Sequence, residues 1–251
     1  AEGEFQQEID EDVAHLRSPF FKELVGAAPN ELNKDESIDG TWSTLTEDGE
    51  VQNLNLVHFS NVDALNVDEL TRVEIAGREN SLTALQLLRQ RVPGFGDAQL
   101  RNFATNVGVR DSRKILGAYM LTGADVQESA RFDDACGAFV RFIDGYAKLV
   151  LPTDGRIYQI PLRALCSEAT ANILVGGRPV AGDMMAHAST RNMGCCFVTG
   201  QAAGIASAIS LVLNCPSSDY KNEIFVRHIQ NECRRQGMVL ESPQKALRPK
   251  L

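Results

Sequence analysis

Apolar and polar positions change period several times along the chain, and the changes mark its elements. Residues 1–40 are acidic and polar, with Pro19 to Val25 as their only firm apolar patch. This segment is expected to lie on another surface, with APNELNKDESIDG as a loop. TWSTLTEDGEVQNLNLVHFS then gives two strand-like runs around Asp48-Gly49. Leu54, Leu56 and His58 alternate with Asn55, Val57 and Phe59, which predicts a strand with two packed faces. From Asp68 to Arg91 the period becomes helical, through Leu70, Val73, Ile75, Leu82, Leu85 and Leu88. Asp68 is the expected cap, and Pro93 and Gly94 break the helix.

Further on, YAKLVLPTDGRIYQIP (146–161) reads as a hairpin turning at Asp154-Gly155. ANILVGG (171–177) reads as a buried strand running into a double glycine. A polar loop, GDMMAHASTRNMG, follows. A small-residue helix then opens at Gly200 and stops near Asn214 and Pro216. Asp219 is expected to cap a last amphipathic helix carrying Ile224, Phe225, Ile229 and Cys233 and ending at Gly237. There is no internal repeat.

The formal net charge of −8 argues against a nucleic-acid-binding face. The apolar run from Ala202 to Leu213 is shorter than the ~18–20 residues of a membrane span, so none is expected. The start, AEGEFQQEIDEDV, lacks the apolar core of a secretory signal. Six cysteines without a C-x-x-C spacing predict reduced, packed thiols in an intracellular protein and no metal site. Cytoplasm is the default location. The terminal Pro249-Lys250-Leu251 is only a partial match to the peroxisomal Ser-Lys-Leu address.

The chemistry concentrates between residues 171 and 214. A glycine pair after a strand lets a ligand approach the backbone. A first helical turn at Gln201, Ala202, Ala203 and Gly204 offers unpaired N–H groups and a partial positive charge to an anion or an electron-rich ring. Close helix–helix packing explains the same small residues. His187 suits a proton carrier near neutral pH or a structural histidine. Arg191 suits an anion anchor or a structural role. Arg110 and Arg113 suit an anionic substrate, or ion pairs with Asp111, Asp133 or Asp134. Cys195 and Cys196 read as packing.

NILVGGRPVAGDMMAHASTRNMGCCFVTGQAAGIASA resembles the C-terminal flavin-contacting segment of the FAD-dependent oxidoreductase family. There a strand and Ala-Gly-Arg lead through Ala-His-x-Ser-x-Arg to Gly-Gln-Ala-Ala-Gly. ELTRVEIAGRE, LLRQRVPGF, GVRDSRKILGAYMLTGADV and IYQIPLRAL match further family stretches in order, so the likeness runs from about Asp63 to Leu240. The G-x-G-x-x-G turn that holds the ADP half of FAD occurs nowhere in the chain.

The resemblance therefore implies a partial α/β flavoprotein fold: an acidic segment at 1–40 that packs on a partner, a mixed-sheet substrate portion at 41–165, and at 166–251 the closing strand and helix of an FAD-binding domain. A second polypeptide, either a separate subunit or the other product of a cleaved precursor, would carry the N-terminal dinucleotide-binding half. It further implies non-covalent FAD and hydride transfer from a small organic substrate. Gly177 and Arg178 would lie near the ribityl or phosphate region, and Gln201, Ala202, Ala203 and Gly204 would face the pyrimidine edge. Ser189, Arg191 and Gly194 would complete the cofactor contacts, with His187, Arg110 and Arg113 as catalytic candidates. The competing expectation is a non-catalytic interaction protein that keeps the fold without the cofactor.

Overall fold

The computed structural model describes residues 36–45, 51–145, 148–153 and 155–241. The Pro19–Val25 patch, the Asp48-Gly49 turn and the Pro249-Lys250-Leu251 terminus lie outside the described residues. The chain divides into two compact units, Ala1–Ser112 and Arg113–Leu251.

In the first unit, β1 (Glu36–Leu45) pairs antiparallel with β2 (Val51–Phe59), from Glu36 opposite Phe59 to Leu45 opposite Val51. The strand thus begins inside the stretch expected to be a loop. Leu56 is buried and its neighbour Val57 is half-buried against the same cluster, while Leu54 and Asn55 are exposed. Among the described residues, this two-stranded sheet is covered by helix α1 (Val67–Arg91). Ile38 and Leu56 meet Ala84 and Leu88 there, with Leu87, Val92 and Phe95 closing the cluster. Burying a leucine contributes ~1.5–3 kcal/mol, enough to set which face of the helix turns inward. The cap of α1 is Asn66, whose side chain accepts from the N–H groups of Asp68 and Glu69. Asp68 instead sits in the first turn with Glu69, where its charge complements the helix dipole. Residues 98–112 have no regular structure. Glu74 ties them to α1 by accepting from Val107 N–H at 2.7 Å, while Arg78 lies 5.2 Å from the centre of the Phe103 ring.

The second unit opens with α2 (Gly123–Gln127), held by a reciprocal Thr122–Asp125 capping box. Four short strands follow: β3 (Ala135–Val140), β4 (Ile143–Gly145), β5 (Lys148–Val150) and β6 (Ile157–Pro161). β3 pairs with β6 and β4 with β5, both antiparallel. β5 and β6 therefore do not pair with each other as the expected hairpin required, and Asp154 of its turn lies outside the described residues. Every residue of β6 is buried, so its apolar alternation reports contact with β3 and the helices rather than a local hairpin. Among the described residues all three ladders are two-stranded and antiparallel, and parallel pairing is reduced to a single bridge between Leu121 and Gly182. Small antiparallel sheets thus stand where a mixed sheet was expected, and the mixture of helices and sheets accords with an α/β chain.

Three helices complete the unit: α3 (Met184–Thr190), α4 (Met193–Leu213) and α5 (Glu223–Arg235). α4 packs on β3 and α5. It buries Cys195, Thr199, Ala202, Ile205, Ala206 and Ser210, and leaves Met193, Phe197, Leu211 and Val212 exposed. By length and composition alone this 21-residue helix is apolar enough to cross a membrane. It begins seven residues before the expected start at Gly200, which lengthens the apolar run beyond the one seen from Ala202 to Leu213. Asn214, left-handed at φ 50°, ends α4 at the predicted place. The cap of α5 is Asn222, not Asp219, which instead accepts from the Asn222 side-chain amide at 3.0 Å.

Candidate functional site

The stretch 171–177 does not form the expected strand. It makes one antiparallel bridge, Leu174 to Cys166, and Ile173 is exposed. Asn172 is left-handed at φ 61°, which interrupts the extended run that its apolar neighbours suggest. The double glycine then runs against α4. A Cβ on Gly176 would lie 2.7 Å from the Gly200 Cα and 3.1 Å from the Thr199 carbonyl oxygen. Gly177, at φ +82°, donates its N–H to Thr199 Oγ1 at 2.8 Å. Arg178 follows as an exposed residue, and its charge is felt by the Cys196 thiol.

The polar stretch expected as a loop is largely the buried helix α3. Asp183 caps it by accepting from Ala186 N–H at 2.7 Å, and its second oxygen accepts from Gly123 N–H at 3.0 Å. His187 is 2% exposed and Ser189 is fully buried. The Ser189 hydroxyl lies 2.9 Å from the Tyr158 hydroxyl. Arg191 bonds the Asp144 backbone carbonyl and lies 3.2 Å from the Asp144 carboxylate. Ser189 is thus buried against Tyr158, and of the two roles open to Arg191 its position favours the structural one. Burial favours it for His187 as well.

Helix α4 begins at Met193, two turns before the expected start. Gln201, Ala202, Ala203 and Gly204 therefore occupy the middle of the helix, where their N–H groups serve intrahelical bonds. The error has a physical source: Met-Gly-Cys-Cys-Phe-Val carries a glycine and several weak helix formers, while tertiary packing supplies the stability. Ala202 is buried in the core. Gln201 turns toward α5 and donates to Gln236 at 2.9 Å. Gln201 and Gly204 line a shallow open groove of about 390 Å³ with Ile205, Ala208 and Val212.

The end without intrahelical acceptors is the first turn, Met193 to Cys195. The first N–H groups of a helix have no intrahelical acceptor. Asn192 does not cap them, because its amide donates backward to the carbonyls of Ala188 and Ser189 at 3.1 and 2.9 Å. Gly194 is small for packing, since a Cβ there would sit 2.9 Å from the Phe139 ring. Thr190, buried beside this corner, has a hydroxyl with no hydrogen-bond partner among the described residues. An asparagine before a small-residue run was the available sequence signal for this start.

Cys195 beneath the corner is fully buried, and burial pushes its thiol up to about 12. Half-buried Cys196 is also raised by burial, with Arg178 opposing. Both are protonated near neutral pH, which supports packing over redox chemistry. Arg113 is exposed, two residues before Ile115, whose N–H donates to the Pro179 carbonyl at 2.8 Å. It therefore stands near the Gly177–Arg178 turn. Arg110 is exposed and belongs to the other unit. Asp134 pairs with Arg163 at 3.2 Å. Among the described residues no group of His, Cys, Asp and Glu side chains could hold a metal ion.

An uncapped helix start and an exposed arginine, beside a left-handed glycine turn that leaves room for close approach, suit an anionic or electron-rich planar group. A model of the family described as FAD dependent oxidoreductase matches residues 4–232. No curated protein and no solved structure matches.

Proposed function

The chain belongs to the FAD dependent oxidoreductase family, which implies an FAD cofactor, and on that premise we propose that it forms the ring-binding part of a two-chain flavin oxidoreductase. The family match over residues 4–232 supports the flavin oxidoreductase part of this reading. The donor set at the start of α4 supports the ring end. The sequence, which contains no G-x-G-x-x-G turn, offers no comparable cradle for the ADP end. A second polypeptide with a dinucleotide-binding half would supply it. The exposed apolar residues Met193, Phe197, Leu211 and Val212 accord with a chain that is covered in its working form.

When bound, the flavin supplies an acceptor for a hydride from a small organic substrate. The protein's part is electrostatic. The N–H groups of exposed Met193 and Gly194 and the partial positive charge of the helix end would stabilise negative charge at the pyrimidine edge. Gly177 would let the chain pass close to the cofactor, and Arg178 would meet a phosphate or ribityl oxygen. Arg113 would orient an anionic substrate group. The platform thus moves from Gln201–Gly204, as the sequence suggested, to Met193–Cys195.

The visible spectrum of the protein isolated under mild conditions tests this reading. Flavin bands that appear in the supernatant after acid precipitation support a non-covalent flavoprotein. A colourless protein that stays colourless with added FAD contradicts it.

A further inference from the structure

Tyr158 lies on β6, fully buried, where three elements converge. Its hydroxyl is 2.9 Å from Ser189 Oγ on α3 and 3.8 Å from Cys195 Sγ on the first turn of α4. Its ring stands edge-on to Phe139, 6.4 Å between centres, and Phe139 is the ring against which Gly194 closes. One side chain therefore ties a strand to the end of one helix and to the start of the next. Neighbouring ties do different work: Asn192 joins the corner to the last carbonyls of α3, and Arg191 joins it to Asp144 on β4.

We infer that Tyr158 is a positioning residue for the flavin, acting through α4 by fixing where the uncapped first turn points. The inference rests on the reading above that this turn faces the electron-rich edge of the ring. Apolar contacts alone are non-directional and let a helix end slide. A buried hydroxyl pair has a preferred geometry and is stronger in a dry setting. The field of a helix end falls off within its first turn, so a small displacement of Met193–Cys195 changes how well negative charge is stabilised. Tyr158 has no exposed surface, so its effect must pass through the helix rather than by contact.

The test uses the flavin-loaded protein as isolated, with Tyr158→Phe alone and with Tyr158→Phe combined with Ser189→Ala. Two quantities are measured: the melting temperature and the two-electron midpoint potential of the flavin. The single change leaves Ser189 Oγ buried without its partner and lowers the melting temperature. The double change removes that orphan and recovers most of the loss. The inference expects the potential to stay shifted to more negative values in both variants, by a severalfold loss of preference for reduced over oxidised flavin; tenfold corresponds to ~30 mV. A potential that is unchanged in both, or that returns to the wild-type value with the melting temperature in the double variant, overturns it and leaves Tyr158 a packing residue. A wild-type protein that carries no flavin overturns the functional reading, and this inference with it.

Discussion

Gly176 and Gly200 meet backbone to backbone: a Cβ on Gly176 would lie 2.7 Å from the Gly200 Cα, and backbone on both sides leaves little room to give way. Gly204, one turn further along α4, faces open space. The two glycines should respond oppositely to alanine. Gly176→Ala is expected to cost about 1–3 kcal/mol by overpacking. Gly204→Ala is expected to gain up to ~1 kcal/mol of helix propensity. Urea unfolding of the isolated chain measures both, and equal effects would mean that the small residues serve no common docking line.

The same pair shows what the sequence could reveal. Gly176 and Gly200 both invited a ligand-platform reading, because a missing Cβ looks alike whether a cofactor or a helix fills the space. Elements with a strong period and clear punctuation were legible: α1 through Leu70, Val73 and Leu88, and the ends of α4 and α5 through Asn214 and Gly237. The candidate site was legible in composition but not in geometry. His187 and Ser189 looked like loop residues because α3 is only seven residues long and its cap, Asp183, sits behind a glycine. Tyr158 gave no sign, since its role arises from contacts 31 and 37 residues away in sequence.

Asp134 gives a pH signature. Burial, opposed by Arg163, raises its carboxyl above the usual 3.8. A raised native pKa means that the folded state holds the proton more tightly, so stability falls as pH rises from about 3.8 through the native value. Asp134→Asn carries no such dependence, and its stability relative to wild type should improve across that window. Denaturant melts at several pH values from acid to neutral check the sign; a gap that widens against the variant as pH rises contradicts the burial argument.

The six thiols should separate by access. Cys136, Cys166, Cys195 and Cys233 are buried and Cys196 and Cys215 half-buried. Burial pushes Cys166 to about 12 and Cys233 to about 11. Brief alkylation of the native protein, located by mass spectrometry, should mark Cys196 and Cys215 and spare the other four until denaturant is added. Early modification of Cys195 would show that the α3–α4 corner opens.

The uncovered face of α4 should make the isolated chain self-associate. Met193 and Phe197 are 80% and 76% exposed, and Leu211 and Val212 continue the stripe at the other end. Phe197→Ser is expected to raise the monomer fraction in sedimentation velocity without lowering the melting temperature. A wild-type chain that is already a monodisperse monomer removes this support for a covering partner.

The most direct measurement for the central claim is flavin stoichiometry. The protein is isolated with whatever polypeptide accompanies it, precipitated with acid, and the FAD released into the supernatant is counted against this chain. A chain that forms the ring-binding part of a flavin oxidoreductase predicts about one FAD per chain, held non-covalently and lost when α4 is unfolded. No FAD, either as isolated or after incubation with FAD and the accompanying polypeptide, would contradict the account and leave the competing reading, a protein that keeps the fold without its cofactor.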